Sequence, residues 1–321
     1  MIMNTKCEVL KLLLRNDGYV SGEFVSKRLG VTRAAINVAV NSLRADGYVI
    51  SSSTKKGYHL DFAPDILNES IAAFCDLKGD LVHLKEVDST NTYLKRYGMT
   101  LPSGSVVVAE KQTLGRGRLG KSFLSPESKG IYMSYLYHPK AGDDLKGLTA
   151  RVALCVRRAI GKLCNVDPKI KWVNDILLND KKICGILSEM SVEADTGNAE
   201  RVVIGIGVNV NNDEFPEELK DIATSIKKET RKEWFRPKIC GAIVEELNEL
   251  FSDLSKDKRV EEYKSNCVTV NKEIKFEYNG VEKTGFAYDI KEDFSLLVKV
   301  DGEDITLSFG DVSVRGLYGY V

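Results

Sequence analysis

The sequence predicts an α+β protein in three parts: a winged helix-turn-helix over residues 1–62, a central mixed β-sheet with helices over 63–268, and a small SH3-like β-barrel over 269–321. Three observations predict this. The first sixty residues order three short helical segments ahead of one hairpin. Residues 80–210 alternate strands with helices. From about Thr269, short alternating strands and hairpin turns follow one another. The 321 residues also exceed the roughly 100–200 of a single domain, so two or three domains are expected.

In order, residues 6–15 predict a first helix, ended by Asn16-Asp17-Gly18. A second follows over Gly22–Leu29 and stops at Gly30. Thr32 caps a third, which runs to about Ala45 before Asp46-Gly47. Its Ile36, Val40 and Leu43 recur at i, i+4, i+7, one apolar face. Arg33, Asn37, Asn41 and Arg44 form a polar stripe beside it. Tyr48–Leu60, with Lys55-Lys56-Gly57 at its centre, reads as the wing. A solvated helix face is the plain reading of the stripe. The order helix, helix, turn, helix, wing favours DNA instead, because Asn and Arg pair with adenine and guanine edges. Thr32, Arg33, Asn37, Asn41, Arg44, Lys55 and Lys56 are the DNA-binding candidates.

Asp61–Ala73 reads as a linker entering a helix. Strands are expected near Val106–Glu110, Ile131–Tyr137, Ile170–Trp172, Ile176–Leu178, Lys182–Met190 and Arg201–Val210. Long helices are expected over Leu145–Leu163 and Arg236–Asp253. The C-terminal strands are 274–278, Phe294–Val300 and Ile305–Phe309, with turns at Asn279-Gly280 and Asp301-Gly302. No internal repeat is found.

Composition bounds the function. Hydrophobic residues make up 43% and charged residues 29%, as in ordinary globular proteins. No run approaches the ~20 apolar residues of a membrane span, and the N-terminus shows no signal peptide. Seven scattered cysteines without a CxxC pair argue against a disulfide framework or a structural zinc site, and His59, His83 and His138 lie far apart. Reduced thiols in a cytoplasmic protein are expected. Net charge is zero, yet residues 1–62 hold nine Lys and Arg against five Asp and Glu. A basic small domain on an acidic body points to a nucleic-acid partner.

Three segments carry chemistry. Gly115-Arg116-Gly117-Arg118-Leu119-Gly120-Lys121 matches GxGxxG, but no helix start follows it, so a dinucleotide fold is excluded on context. Three glycines with three cations predict a flexible loop that folds around an anion. Lys171–Glu189 reads as strand, turn at Asn179-Asp180-Lys181, strand. That hairpin gathers cations with Asp175, a carboxylate able to touch Mg²⁺ at a nucleotide. Val87–Tyr93 places Ser89, Thr90 and Asn91 at a strand-to-helix turn, where capping and ligand binding are compatible. Taken singly, each has a bland reading as a basic surface loop, a surface hairpin and a helix cap.

Together these segments resemble the biotin–protein ligase family over residues 80–320, and the whole chain resembles its bifunctional members, which also repress the biotin operon. The family's marks are a Ser-Thr-Asn turn, GRGRxG, KWPND and Lys-x-x-Gly-Ile-Leu. The chain carries Ser89-Thr90-Asn91, Gly115–Gly120, Lys171–Asp175 and Lys182–Leu187, in that order. Gly205–Asn211, Gly310–Arg315 and Arg33-Ala34-Ala35-Ile36-Asn37 are also similar. Val173 replaces the usual proline, and Val38-Ala39 stand where polar or basic residues are usual.

The resemblance implies a class II synthetase-like central sheet and a two-step, ATP- and Mg²⁺-dependent reaction. Biotin and ATP give biotinyl-5′-adenylate, and biotin then passes to a lysine of a biotin carboxyl carrier protein. It implies biotin contacts by Ser89, Thr90, Asn91, Gln112, Arg116, Lys182, Gly185 and Gly205. ATP contacts are implied for Arg116, Arg118, Lys171, Asn174, Asp175, Lys182 and Asn209. Lys182, Arg118 and Asp175 take the catalytic roles, Asp175 also touching Mg²⁺. Operator DNA and a homodimer formed on adenylate binding complete the implied partners. Trp234 is a candidate adenine-stacking residue. Three alternatives stand beside this reading: a lipoate–protein ligase, a biotin-sensing regulator without ligase activity, and a ligase with a vestigial N-terminal domain.

Overall fold

The structure is a computed structural model that describes residues 5–192, 199–254, 259–278, 280–308 and the backbone of 314–316. Helices α1 (Thr5–Leu14), α2 (Gly22–Leu29) and α3 (Arg33–Ala45) bury Leu10, Leu13, Val25, Ile36, Val40 and Leu43 in one small core. The Ser21 and Thr32 hydroxyls accept the Phe24 and Ala35 N–H groups and so cap α2 and α3. Gly30 ends α2 in the left-handed region. Strands β1 (Val49–Ser53) and β2 (Gly57–Phe62) form the wing. Gly57 has φ of 101°, and a Cβ there would collide with the Val20 backbone, so the wing's return needs glycine.

The centre is a seven-stranded sheet ordered β3-β4-β5-β9-β8-β7-β6. Its strands are β3 (Leu81–Val87), β4 (Val106–Gln112), β5 (Gly130–Tyr137), β6 (Lys169–Lys171), β7 (Asp175–Leu178), β8 (Lys181–Val192) and β9 (Ala199–Asn209). Only β3 and β4 pair in parallel. Helices α5 (Leu148–Cys164) and α7 (Arg236–Ser252) join Val106 and Val108 in the main core. Helix α4 (Thr90–Tyr97) sets Leu94 against Val107, Leu136 and Val203 in a separate cluster. A strand whose alternate residues enter two cores reads as a continuous apolar run. Short α6 (Ile226–Thr230) and α8 (Val260–Ser265) complete the helices among the described residues.

The C-terminal strands β10 (Lys272–Tyr278), β11 (Val281–Ile290), β12 (Leu296–Val300), β13 (Glu303–Leu307) and β14 (Val314–Gly316) form an antiparallel sheet ordered β13-β12-β11-β10-β14. Five antiparallel strands are what the barrel expectation requires. Asp301 and Gly302, at φ of 50° and 88°, make the expected hairpin turn. Asn279 and Gly310–Ser313 lie outside the described residues. The core is continuous with the central sheet: Trp172 donates its indole N–H to the Phe294 carbonyl at 3.0 Å.

Four expectations change. Strand β3 is absent from the sequence reading, because its His83, Lys85 and Glu86 mask a half-covered edge strand. Strand β11, the middle strand of its sheet, escaped because Glu282, Lys283 and Thr284 break the alternation at its start. The linker's helix is a short 3-10 turn over Glu69–Ala73. Phe294 sits at φ of 67° in a turn, so β12 starts two residues later than expected.

The linker is tied to the sheet by one buried group. Arg236, wholly buried at the start of α7, donates to the Asp65 carboxylate at 2.8 Å, to Glu110 Oε2 at 2.9 Å and to the Gly130 carbonyl at 3.0 Å. Burial pulls its pKa down, but the Asp65 and Glu110 carboxylates outweigh that and raise it above the ordinary value.

Candidate active site

A cavity of about 730 Å³ opens over the central sheet, and every residue expected at the ligase site except the adenine-stacking candidate Trp234 lines it. These residues come from the β3–α4 turn, the end of β4, the 115–121 loop, β6 through β8, and β9.

One end is a hydrogen-bonding network. Thr90 donates its N–H (2.9 Å) and its hydroxyl (3.2 Å) to Gln112 Oε1, and Gln112 Nε2 donates to Ser125 Oγ at 2.9 Å. The buried Ser134 hydroxyl lies 2.7 Å from Thr90 Oγ1 and 2.6 Å from Asn91 Oδ1. Ser134 escaped the sequence reading. The signal was present: one serine inside the apolar strand Gly130–Tyr137. Ser89 occupies the cap position of α4, yet its side chain makes no cap bond, which corrects that expectation.

The apolar middle is walled by Phe123, Leu124, Met133, Ile186, Leu187 and Ile206. Phe123 lies against the open Cα of Gly207, where a Cβ would enter its ring. Two residues expected at the biotin site line the cavity and also hold the fold together. Asn91 donates to Glu189 Oε2 at 2.9 Å and to the Leu187 carbonyl at 3.3 Å, so its amide anchors α4 to β8. Gly205 makes room for that amide, since a Cβ would strike Asn91 Oδ1. Gly185 lies beside the Lys182 side chain, and a Cβ there would be 3.1 Å from Nζ.

The other end is cationic. Arg116, Arg118, Lys121, Lys171 and Lys182 line it against the carboxylates Asp175 and Asp221. Lys182 Nζ stands 2.6 Å from Asp175 Oδ1, both side chains largely covered. Its backbone is pinned on both sides, with N–H to the Ile222 carbonyl at 2.8 Å and carbonyl from the Thr224 N–H at 2.9 Å. The 219–223 segment that closes this end lacks periodicity, which hid it from sequence reasoning. The β7–β8 turn forms as expected, with Asn179 and Asp180 at φ of 50° and 62°. Arg118 reaches Asn174 Oδ1 at 3.3 Å, and Asn174 Nδ2 donates to the Ile186 carbonyl at 3.0 Å. The Trp172–Val173 peptide is cis.

The glycine-rich segment expected to fold around an anion is closed by its own backbone bonds. The Gly117 N–H donates to the Lys121 carbonyl at 2.7 Å and the Phe123 N–H to the Gly115 carbonyl at 2.9 Å, closing a compact turn. Asn209 lines the cavity and donates to the Thr224 carbonyl at 3.1 Å, so its amide fixes the closing segment. Trp234 is absent from the cavity lining; its indole N–H donates to Thr230 Oγ1 at 2.9 Å. Burial pushes the Cys184 thiol well above its usual range, so the thiol beside Lys182 stays protonated and offers no nucleophile.

At the N-terminal domain, Arg33, Asn37 and Asn41 stand exposed on α3 with Lys55 and Lys56 at the wing tip. The Thr32 hydroxyl is engaged as the cap. Arg44 is exposed and also braced on the wing. Its guanidinium binds the Ile50 carbonyl at 2.6 Å and Ser52 Oγ at 2.6 Å, bracing α3 on the wing.

Comparison with known proteins agrees with this geometry. Residues 84–209 match the biotin/lipoate A/B protein ligase family, and residues 7–59 match an HTH domain. The bifunctional ligase/repressor BirA of Bacillus spizizenii is 39% identical over 218 residues, spanning 65% of this chain and 66%, just under two thirds, of that protein. BirA of Escherichia coli is 30% identical over 317 residues, 97% of this chain and 98% of that one. The Aquifex aeolicus biotin protein ligase in complex with biotin and ATP superposes with a TM-score of 0.66 at 31% identity, covering 74% of this chain and 99% of that one. With alignment along nearly the whole Escherichia coli protein and both domain types in the same order, this chain belongs to the biotin–protein ligase family, with a helix-turn-helix domain ahead of the ligase-family segment.

Proposed function

We propose that the chain joins biotin to ATP as biotinyl-5′-adenylate, then passes biotin to one lysine of a biotin carboxyl carrier protein. One observation carries this: a single cavity orders a hydrogen-bonding end, an apolar wall and a cationic end. Biotin has a ureido ring, an apolar body and a carboxylate in the same order. Ser89, Thr90 and Gln112 meet the ureido group, and Phe123 covers the ring system. A biotin carboxylate oxygen attacks the α-phosphorus, the bond to the bridging oxygen breaks, and pyrophosphate leaves. Lys182 stabilises the charge on carboxylate and α-phosphate, while Arg116 and Arg118 hold the phosphates. The carrier's amine then attacks the acyl carbon, AMP leaves, and Asp175 takes the amine's proton.

ATP-borne Mg²⁺ neutralises phosphate charge when bound. Among the described residues no group of three or more His, Cys, Asp or Glu is placed to hold a metal alone. The fit is therefore to an ion held by the phosphates, with Asp175 as its protein contact. This chemistry belongs to the cytoplasm, where ATP and unmodified carriers coexist.

The same adenylate serves as a signal, since it accumulates only when the carrier is already biotinylated. A homodimer formed on adenylate binding would present two winged domains to a palindromic operator. Exchange of labelled pyrophosphate into ATP tests the ligase reading. Exchange that requires biotin supports it; exchange driven by lipoate instead, or none, contradicts it.

A further inference from the structure

We infer that Val38 reads DNA sequence, its methyl groups meeting the C5-methyl of a thymine in the major groove, next to adenine contacts from Asn37 and Asn41. The inference rests on the operator-binding reading above and deepens it. Val38 is 70% exposed, the highest value among the large hydrophobic side chains described as exposed. It takes no part in the core of its domain, which Ile36, Val40 and Leu43 already supply from the opposite face of α3. On the outer face Ala34, Asn37, Val38 and Asn41 recur at i, i+3, i+4, i+7, so Val38 sits at the centre of the exposed stripe.

The chemistry of that stripe is specific. Asn pairs bidentately with adenine N6 and N7, and a small apolar side chain contacts the thymine methyl. Cations read guanine, and here none stands at the centre of the stripe. Arg44 is bound to the Ile50 carbonyl and Ser52. Arg33 stands in the first turn, 4.0 Å from Glu23. Lys55 and Lys56 are exposed at the wing tip, where they suit phosphates rather than bases. A protein partner is disfavoured, because two asparagines flank Val38 and break any apolar patch on the helix. A lone valine between adenine readers, with basic residues for the backbone, matches an A·T-rich half-site.

The test uses the full chain with biotin and ATP. Random duplexes are selected on the wild type and on Val38→Ala, and each thymine of the wild-type site is then replaced by deoxyuracil, which removes only the methyl. Burying one methyl is worth about fourfold in affinity. One thymine per half-site should therefore cost the wild type about fourfold on becoming deoxyuracil, and both together about fifteenfold. Val38→Ala should bind the methylated and unmethylated sites within about twofold of each other and melt as the wild type does. A selected site whose deoxyuracil scan is flat, or equally steep in Val38→Ala, overturns the Val38 assignment alone. Failure of the wild type to select any site overturns the operator reading and this inference with it.

Discussion

Replacing Arg236 by Met should destabilise the ligase part of the molecule strongly. The guanidinium is wholly buried and bonds Asp65, Glu110 and the Gly130 carbonyl. The Glu110 side chain is only 7% exposed. Without Arg236 its carboxylate keeps the Leu67 N–H and the Ser128 hydroxyl but loses its only described counter-charge. Breaking one side of a buried ion pair costs about 3–5 kcal/mol. At about 2–4 °C per kcal/mol for a domain near 200 residues, Tm should fall by about 6–20 °C. The chain's two tryptophans, Trp172 and Trp234, both lie in the ligase part, so intrinsic fluorescence follows its unfolding without a label. Adding Glu110→Gln to Arg236→Met should restore at least half the loss, since removing both charges leaves no stranded carboxylate. A single variant within about 1 kcal/mol of the wild type, set against the 3–5 kcal/mol of a broken buried pair, would refute the reasoning. So would a double variant no better than the single one.

Lys182→Ala should slow adenylate formation by about 10²–10³ while biotin still binds, because it removes a positioned donor to the developing charge. Single-turnover kinetics beside calorimetric biotin binding check this, and unchanged turnover would exclude the role. Arg118→Gly should release adenylate into solution, and bystander proteins should then gain biotin on their lysines by immunoblot. All seven cysteines are buried, and burial raises the Cys7 thiol to about 11 and the Cys75 and Cys164 thiols to about 12. Thiolate is the reactive form and rises only near those values, so at pH 8 the native protein should resist a thiol reagent that labels it fully in guanidinium. Rapid native labelling of several thiols would contradict the structure.

Much of the site was legible because its motifs are short and local. The Lys171–Leu187 hairpin carries its own turn in Asn179-Asp180, so Lys182 and Asp175 meet for reasons the sequence states. What escaped depends on packing between distant segments. Ser134 joins the network only because β5 lies beside α4, and residues 219–223 close the cavity only because they pair with Lys182. Asn91 and Asn209 are motif residues whose amides turned out to hold strands and loops, a role no spacing distinguishes from ligand contact. Arg44 shows the same on α3: helical periodicity placed it on the outer stripe, and its guanidinium is bonded to the wing carbonyl at Ile50 while staying exposed. Strands β3 and β11 went unread because solvent-facing charges break the two-residue alternation at a sheet edge or hairpin tip.

The most direct test of the central claim is mass spectrometry of the purified protein after incubation with biotin, ATP and Mg²⁺. Biotinyl-5′-adenylate should be found bound to the enzyme. That species should be lost, with one biotin gained on a single carrier lysine, when a biotin carboxyl carrier domain is added. No adenylate with biotin, under conditions where biotin binds, would contradict the ligase assignment of this cavity.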